Sequence, residues 1–136
     1  MRIVRNVLVV ILGLFIGSLI NMSIIMQGTS IIPLPKGIDP ANVESIKAGM
    51  HLYQPKHFLV PFLAHALGTL AGAFVAARFS ASKHFILAMV VGSFFLLGGI
   101  SMVFSLPAPV WFSITDIVLA YIPMAYLGWK LSGKGK

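Results

Sequence analysis

The sequence predicts an all-α membrane protein, an up-down-up-down bundle of four transmembrane helices. Of its 136 residues, 58% are hydrophobic and 10% are charged, which is too apolar for a soluble domain of this length. Four apolar runs each have about the 20 residues that a helix needs to cross about 30 Å of hydrocarbon. They lack the in/out alternation of a barrel strand. We predict a single domain, residues 1–136, with spans at about 7–26, 58–79, 85–106 and 110–129.

The first span follows a basic start, as a cleaved signal peptide would. Its apolar run is longer than the core of a signal peptide, and no small-residue cleavage site follows it. We therefore expect it to remain as a helix. It carries Gly13, Gly17 and Asn21 at steps of four.

The second span has a similar stripe of small residues, Ala64, Gly68, Gly72 and Ala76. Small residues at this spacing let two helix backbones approach closely, so we expect the first two spans to touch along these stripes. Short turns, 80–83 and 107–109, join the later spans and favour antiparallel neighbours. Pro123 is expected to kink the fourth span.

The long connection at 27–57 is predicted to carry a short amphipathic helix. Asp39 is suited to cap it, with Pro40 at the first helical position. The apolar residues that follow at helical spacing are Val43, Ile46 and Met50. We expect this helix to lie on the outer membrane surface or to fold over the mouth of the bundle.

The formal net charge of +7 comes from basic residues that lie at the ends of the apolar runs. This placement is typical of residues that set the orientation of a membrane protein and not of a nucleic-acid-binding surface. With the N-terminus inside, seven basic residues are cytoplasmic and three lie outside, which is the positive-inside pattern. We predict a multi-pass protein of the bacterial inner (cytoplasmic) membrane with both termini cytoplasmic. The seven are Arg2, Arg5, Arg78, Lys83, Lys130, Lys134 and Lys136.

A polar residue lies at a similar depth in each span. At about 1.5 Å of rise per residue, the four come out roughly 8–10 Å below the outer boundary of the hydrocarbon. We predict that they form a polar layer if each faces the bundle axis. The four residues are Asn21, His65, Ser101 and Asp116.

Asp116 matters most, because an ionisable residue within a membrane span is costly and needs a partner. One interpretation pairs it with His65 as a proton or cation site that responds to pH. The other makes the pair interhelical hydrogen bonds that hold the bundle together.

The outer connection offers further candidate binding residues, Asp39, Glu44, His51 and His57. Their spacing matches no metal motif, and the absence of cysteine excludes a thiolate site. A haem site would need a second deep histidine facing His65. We therefore predict no metal and no cofactor. No serine lies in a nucleophile-elbow motif, so the sequence does not favour an enzyme.

Three segments carry a resemblance over nearly the whole chain: 35–39 with Glu44-Ser45, 55–69 around His65, and 116–128 from Asp116. In them the chain resembles an uncharacterised family of small bacterial four-span integral membrane proteins. The resemblance implies the four-span fold and carries no activity and no site residue.

Three functions are compatible with these features. The first is a non-enzymatic membrane protein that self-associates as a homo-oligomer or is an accessory subunit of a larger membrane complex. The second is an oligomeric carrier of a small solute, proton or cation that uses Asn21, His65 and Asp116. The third is an enzyme that acts on a lipid or quinone at the outer leaflet, with His65 and Asp116 as an acid/base pair. Membrane lipid is the expected partner, and nucleic acid is not.

Overall fold

The computed structural model describes residues 1–135, which are 81% helical and contain no strand. Four stretches are long and apolar enough to cross a membrane, as expected of a multi-pass membrane protein: Arg2–Ile31, Pro55–Phe79, His84–Ser105 and Val110–Lys134. The helices are α1 (Arg2–Ile31), α2 (Val43–Gly49), α3 (Leu59–Phe79), α4 (His84–Ser105), α5 (Val110–Leu119) and α6 (Ile122–Trp129). Short 3₁₀ turns at Met50–Leu52 and Pro55–Phe58 precede α3, and a π-helical turn at Lys130–Lys134 follows α6.

The first helix is longer than the predicted span at 7–26. It continues because no proline interrupts the chain until Pro33, and Ile32 N–H still donates to Gly28 O at 2.8 Å. At its start, Arg5 N–H donates to Met1 O at 3.1 Å. The second and third spans agree with their predicted bounds to within one residue.

The fourth span is divided, as the position of Pro123 predicted. α5 ends at Leu119, and α6 begins at Ile122 with Pro123 in its first turn. Proline has no N–H, so it cannot donate the helical hydrogen bond to the carbonyl four residues earlier, at Leu119. Tyr121 lies in the break, with backbone angles φ −116° and ψ −78°. The break changes the direction in which the residues after Asp116 project.

The predicted contact between the small-residue stripes of the first two spans is confirmed. A Cβ atom added at Gly13 would lie 2.5 Å from Gly72 O, and one added at Gly17 would lie 2.6 Å from Gly68 O. Real Cβ atoms do not approach a carbonyl oxygen this closely, so only glycine fits. α1 and α3 therefore pack backbone to backbone, the arrangement that small residues allow between membrane helices.

Further along α3, small residues also fill the space between α3, α4 and α6. We call the four fully buried alanines there the alanine core: Ala73, Ala77, Ala88 and Ala125. Next to it, a Cβ added at Gly128 would lie 2.5 Å from Leu70 O, and one added at Gly92 would lie 2.5 Å from Ala125 Cβ. The three helices are thus in close contact at this end of the bundle.

The connection between α1 and α3 contains the predicted short helix, but it begins later than predicted. Asn42 caps it, because the Asn42 side chain accepts a hydrogen bond from Ser45 N–H at 3.1 Å. The predicted cap, Asp39, instead accepts from Ala41 N–H at 2.9 Å, in a turn that precedes the helix. Asp39 and Asn42 both favour caps and turns, and here the residue nearer to the helix supplies the cap.

Candidate functional site

Asp116 is buried between helices and accepts hydrogen bonds from two other side chains. Its carboxylate oxygens lie 2.8 and 3.0 Å from Nδ1 of His65, and Tyr121 donates its hydroxyl to Oδ2 at 3.0 Å. The His65 and Tyr121 rings stack at 5.9 Å between centroids, with 25° between their planes. The hydrogen bonds from these two side chains therefore replace those that the carboxylate loses to water when it is buried.

We call His65, Asp116 and Tyr121 the polar triad. Its members come from three elements: α3, α5 and the break before α6. The hydroxyl of Thr69 donates to the backbone O of His65 at 2.7 Å, one turn further along α3. Gly99 of α4 faces the Tyr121 ring, and a Cβ there would overlap its hydroxyl and its ring carbons. A glycine at this position lets the tyrosine lie between α4 and the carboxylate.

The triad leaves one nitrogen of the imidazole free. His65 uses Nδ1 for Asp116, and no residue within 1–135 pairs with Nε2. The histidine side chain is 23% exposed, and the side chain of Asp116 is 7% exposed. No fully buried side-chain nitrogen or oxygen in the described part of the chain lacks a partner, so Nε2 is at an accessible surface. With Asp116 ionised, its carboxylate can only accept, which places the proton on Nδ1, and in the neutral imidazole Nε2 is then an acceptor.

A cavity of about 130 Å³ lies beside the triad and is lined by both His65 and Asp116. Most of its wall is apolar, including Phe58, Met102 and Phe112. α1 contributes Ile25 and Thr29, and the connection between α1 and α3 contributes Ile46, Met50, Tyr53 and His57. The connection therefore folds against the helices and closes one side of the cavity.

The aromatic residues at the start of α3 hold the wall of the cavity together. The centroid of the Phe58 ring lies 4.7 Å from that of Phe112 and 5.6 Å from that of Trp111, and both of these residues are in α5. The Tyr53 ring also packs against Phe58, at 5.2 Å between ring centroids. Burial raises the pKa of the Tyr53 hydroxyl above its ordinary value. These contacts fix the connection to α5.

The structure brings together two of the four residues of the predicted polar layer. Ser101 is exposed on α4, and its backbone carbonyl accepts from Ser105 Oγ at 3.0 Å. Two residues along a helix turn the side chain by about 200°, so the face that presents Gly99 to Tyr121 turns Ser101 away. Ser101 was predicted at the same depth as Asp116, but it lies on a different face of its helix.

Asn21 is half-buried against α3, where a Cβ added at Gly68 would lie 3.1 Å from Asn21 Cβ. No hydrogen bond joins it to the polar triad within residues 1–135. Asn21 therefore packs beside the glycine contact between α1 and α3.

The candidate binding residues in the connection between α1 and α3 do not form one group. His57 is buried in the cavity wall, and its Nδ1 accepts from Gln54 N–H at 2.8 Å. Asp39, Glu44 and His51 are exposed. Across residues 1–135, no three His, Cys, Asp or Glu side chains are close enough to hold one metal ion.

Sequence reasoning missed Tyr121. It is five residues after Asp116, which in a regular helix places it about 140° away from the carboxylate. The break before Pro123 removes that regularity and brings the hydroxyl back to Oδ2. The sequence feature that could have identified Tyr121 is a tyrosine two residues before a proline, in the same span as a buried acidic residue.

No match to the chain is found among protein-family models, curated proteins or solved structures. The function therefore has to be inferred from the geometry of the triad and the cavity.

Proposed function

We propose that this protein binds the polar ring of a membrane-soluble molecule, a hydroquinone-type headgroup, in the cavity beside the polar triad. The observations that carry the proposal are that Asp116 holds Nδ1 of His65 while Nε2 has no partner, and that His65 lines an apolar cavity. With Nδ1 protonated, Nε2 accepts a hydrogen bond, so the matching ligand group is a donor such as a ring hydroxyl. An apolar pocket with a few convergent polar groups is typical of small-molecule sites.

The size of the cavity favours one ring. A dry apolar cavity of about 150 Å³ in another protein binds benzene. The present cavity, about 130 Å³, suits a ring of similar size and is too small for a whole lipid. The remaining apolar part of the ligand would lie between the helices and the surrounding lipid. Aromatic wall residues such as Phe58 and Phe112 suit a flat ring.

The orientation of the bundle determines which leaflet supplies the ligand. We propose that the helices cross the bacterial inner membrane in up-down-up-down order, with both termini cytoplasmic. The positive-inside distribution of the basic residues supports this orientation. The connection at 32–58 then lies outside, and the ligand enters from the outer leaflet.

The carrier function stays a prediction. The pairing of His65 with Asp116 is compatible with it, but a carrier also needs a path across the membrane. Further along α3, the alanine core packs α3, α4 and α6 together, which favours a site that is open at one end. Self-association and an accessory role in a larger complex also stay predictions. A lipid or quinone enzyme would use the same site, with His65 taking a proton from the bound hydroxyl.

Isothermal titration calorimetry of the purified protein in detergent micelles tests the proposal. The probe is a hydroquinone with one short isoprenoid tail, compared with its dimethyl ether, which cannot donate a hydrogen bond. His65→Ala removes one hydrogen bond to the ligand, so we expect Kd for the hydroquinone to rise about tenfold. Ser101→Ala is the matched control and should leave Kd unchanged, because Ser101 is exposed away from the triad.

Equal affinity for the hydroquinone and its ether would contradict the proposal. So would a His65→Ala protein that binds as the wild type does. If both compounds bind equally to all variants and to empty micelles, the heat comes from partition into detergent and the site is not used.

A further inference from the structure

A second lipid-accessible feature lies between α1 and α4, away from the cavity. We call it the α1–α4 groove, a groove of about 660 Å³ between residues 2–14 and 82–94. Its walls are almost entirely apolar, with exposed side chains such as Ile3, Val7 and Ile11 along α1. An exposed apolar groove in a membrane protein is filled by lipid, and the two ends of this one differ in charge.

The length of the groove matches one leaflet. Twelve residues of rise, from Arg2 to Leu14, correspond to about 18 Å along the helix. Half of a hydrocarbon core of about 30 Å is about 15 Å. An acyl chain of one leaflet therefore fits along the groove with its headgroup at one end.

That end is positively charged. Arg2 and Lys83 both line it and both are exposed, and neither α1 nor α4 has an acidic residue in its first turn. The three acidic residues of the chain are Asp39, Glu44 and Asp116, and none of them lines the groove. The two cations thus have no carboxylate beside them in the groove. The other end is lined by the apolar residues Leu14 and Phe94.

The charged end is fixed in place by hydrogen bonds between α1 and the turn before α4. Asn6 donates its side-chain NH₂ to Ser82 Oγ at 3.1 Å and accepts from Ala81 N–H at 3.0 Å. Lys83 has φ +54°, in the left-handed region that favours glycine.

We propose that the α1–α4 groove binds one anionic phospholipid, with an acyl chain along the apolar walls and the phosphate between Arg2 and Lys83. The site is distinct from the cavity, so it does not depend on the function proposed above. Basic side chains near a membrane surface each add about five-fold to the affinity for an anionic headgroup.

Native mass spectrometry of the full chain, released from detergent with equal amounts of phosphatidylglycerol and phosphatidylcholine, tests this proposal. The wild type should retain one phosphatidylglycerol molecule in preference to phosphatidylcholine. Arg2→Gln with Lys83→Asn removes both charges while the asparagine tolerates the left-handed backbone. We expect the preference to fall about five-fold for each charge removed. Lys36→Gln with Lys47→Gln makes the same change in net charge in the α1–α3 connection and should keep the preference.

A pair of tryptophan variants tests the apolar part of the site. Ile11→Trp fills the groove at an exposed position and should lower phosphatidylglycerol retention, whereas Leu8→Trp, on an exposed position outside the groove, should not. The proposal is overturned if the wild type retains both lipids equally, or if the two charge variants behave alike. Equal retention by Ile11→Trp and Leu8→Trp would also overturn it, because the lipid would then not occupy the groove.

Discussion

The two ends of the helix bundle are built from side chains of very different size. At one end the alanine core and nearby glycines bring α3, α4 and α6 into close contact. At the other end, which contains the cavity, phenylalanine and methionine side chains lie between the helices. Small residues let helix backbones approach closely, whereas large side chains hold them further apart, and the connection between α1 and α3 covers one side of the cavity that remains. Side-chain size thus decides where the helices leave a cavity between them.

The largest expected effect comes from changing the closely packed region. Gly72→Leu places a side chain where a Cβ alone would lie 2.6 Å from Gly13 O. Because a backbone atom cannot move aside cheaply, we expect the free energy of unfolding to fall by about 3 kcal/mol or more. Circular dichroism during SDS titration of micelle-bound protein measures it.

Gly98→Leu is the matched control, since a Cβ added at Gly98 of α4 would have no neighbouring atom within 4 Å. We expect a change within about 0.5 kcal/mol, as for other exposed sites. Equal destabilisation by the two substitutions would mean that α1 and α3 are not in backbone contact.

The second effect concerns the polar triad at the cavity. Asp116→Ala leaves Nδ1 of His65 and the Tyr121 hydroxyl without their acceptor. Unpaired buried donors cost about 1–3 kcal/mol, so we expect a loss of about 2 kcal/mol in the same SDS titration. Asp39→Ala removes a carboxylate that is exposed and should change stability by less than about 0.5 kcal/mol. An Asp116→Ala protein as stable as Asp39→Ala would show that the triad does not hold the bundle.

The structure brings His65 and Asp116 of the predicted polar layer into contact and leaves Asn21 and Ser101 apart from them, for physical reasons. The cost of burying Asp116 predicted a partner, and depth along the helix pointed to His65. Depth does not determine which face a residue occupies, so Ser101 was expected inside but is exposed. Tyr121 was missed because its position depends on the angle of the break before Pro123.

The fold was easier to predict than the site. Apolar run lengths gave four helices long enough to span a membrane, and small residues at steps of four gave the contact between α1 and α3. These features repeat over many residues, so one misplaced residue matters little. The predicted start of α2, by contrast, depended on one capping residue. Asp39 forms a local turn with Ala41, so Asn42 caps the helix instead.

The smallest expected effect is at the cavity end of the bundle, where Gly99 makes room for the ring of Tyr121. A Cβ at Gly99 would lie 2.6 Å from Cζ of Tyr121. We expect Gly99→Ala to lower the free energy of unfolding by about 1 kcal/mol, at the lower end for overpacking, because the added methyl group meets a side chain that can shift and not a backbone carbonyl as in the α1–α3 contact.

A double-mutant cycle identifies the tyrosine as the cause. In a Tyr121→Ala background the added methyl group meets empty space, so Gly99→Ala should then cost nothing measurable, and the coupling free energy should equal most of the single-variant loss. Gly98→Ala, one residue away with open space around it, should be neutral in both backgrounds. If Gly99→Ala costs the same with and without the tyrosine, α4 does not position Tyr121, and the hydroxyl reaches Asp116 through the break in the fourth span alone.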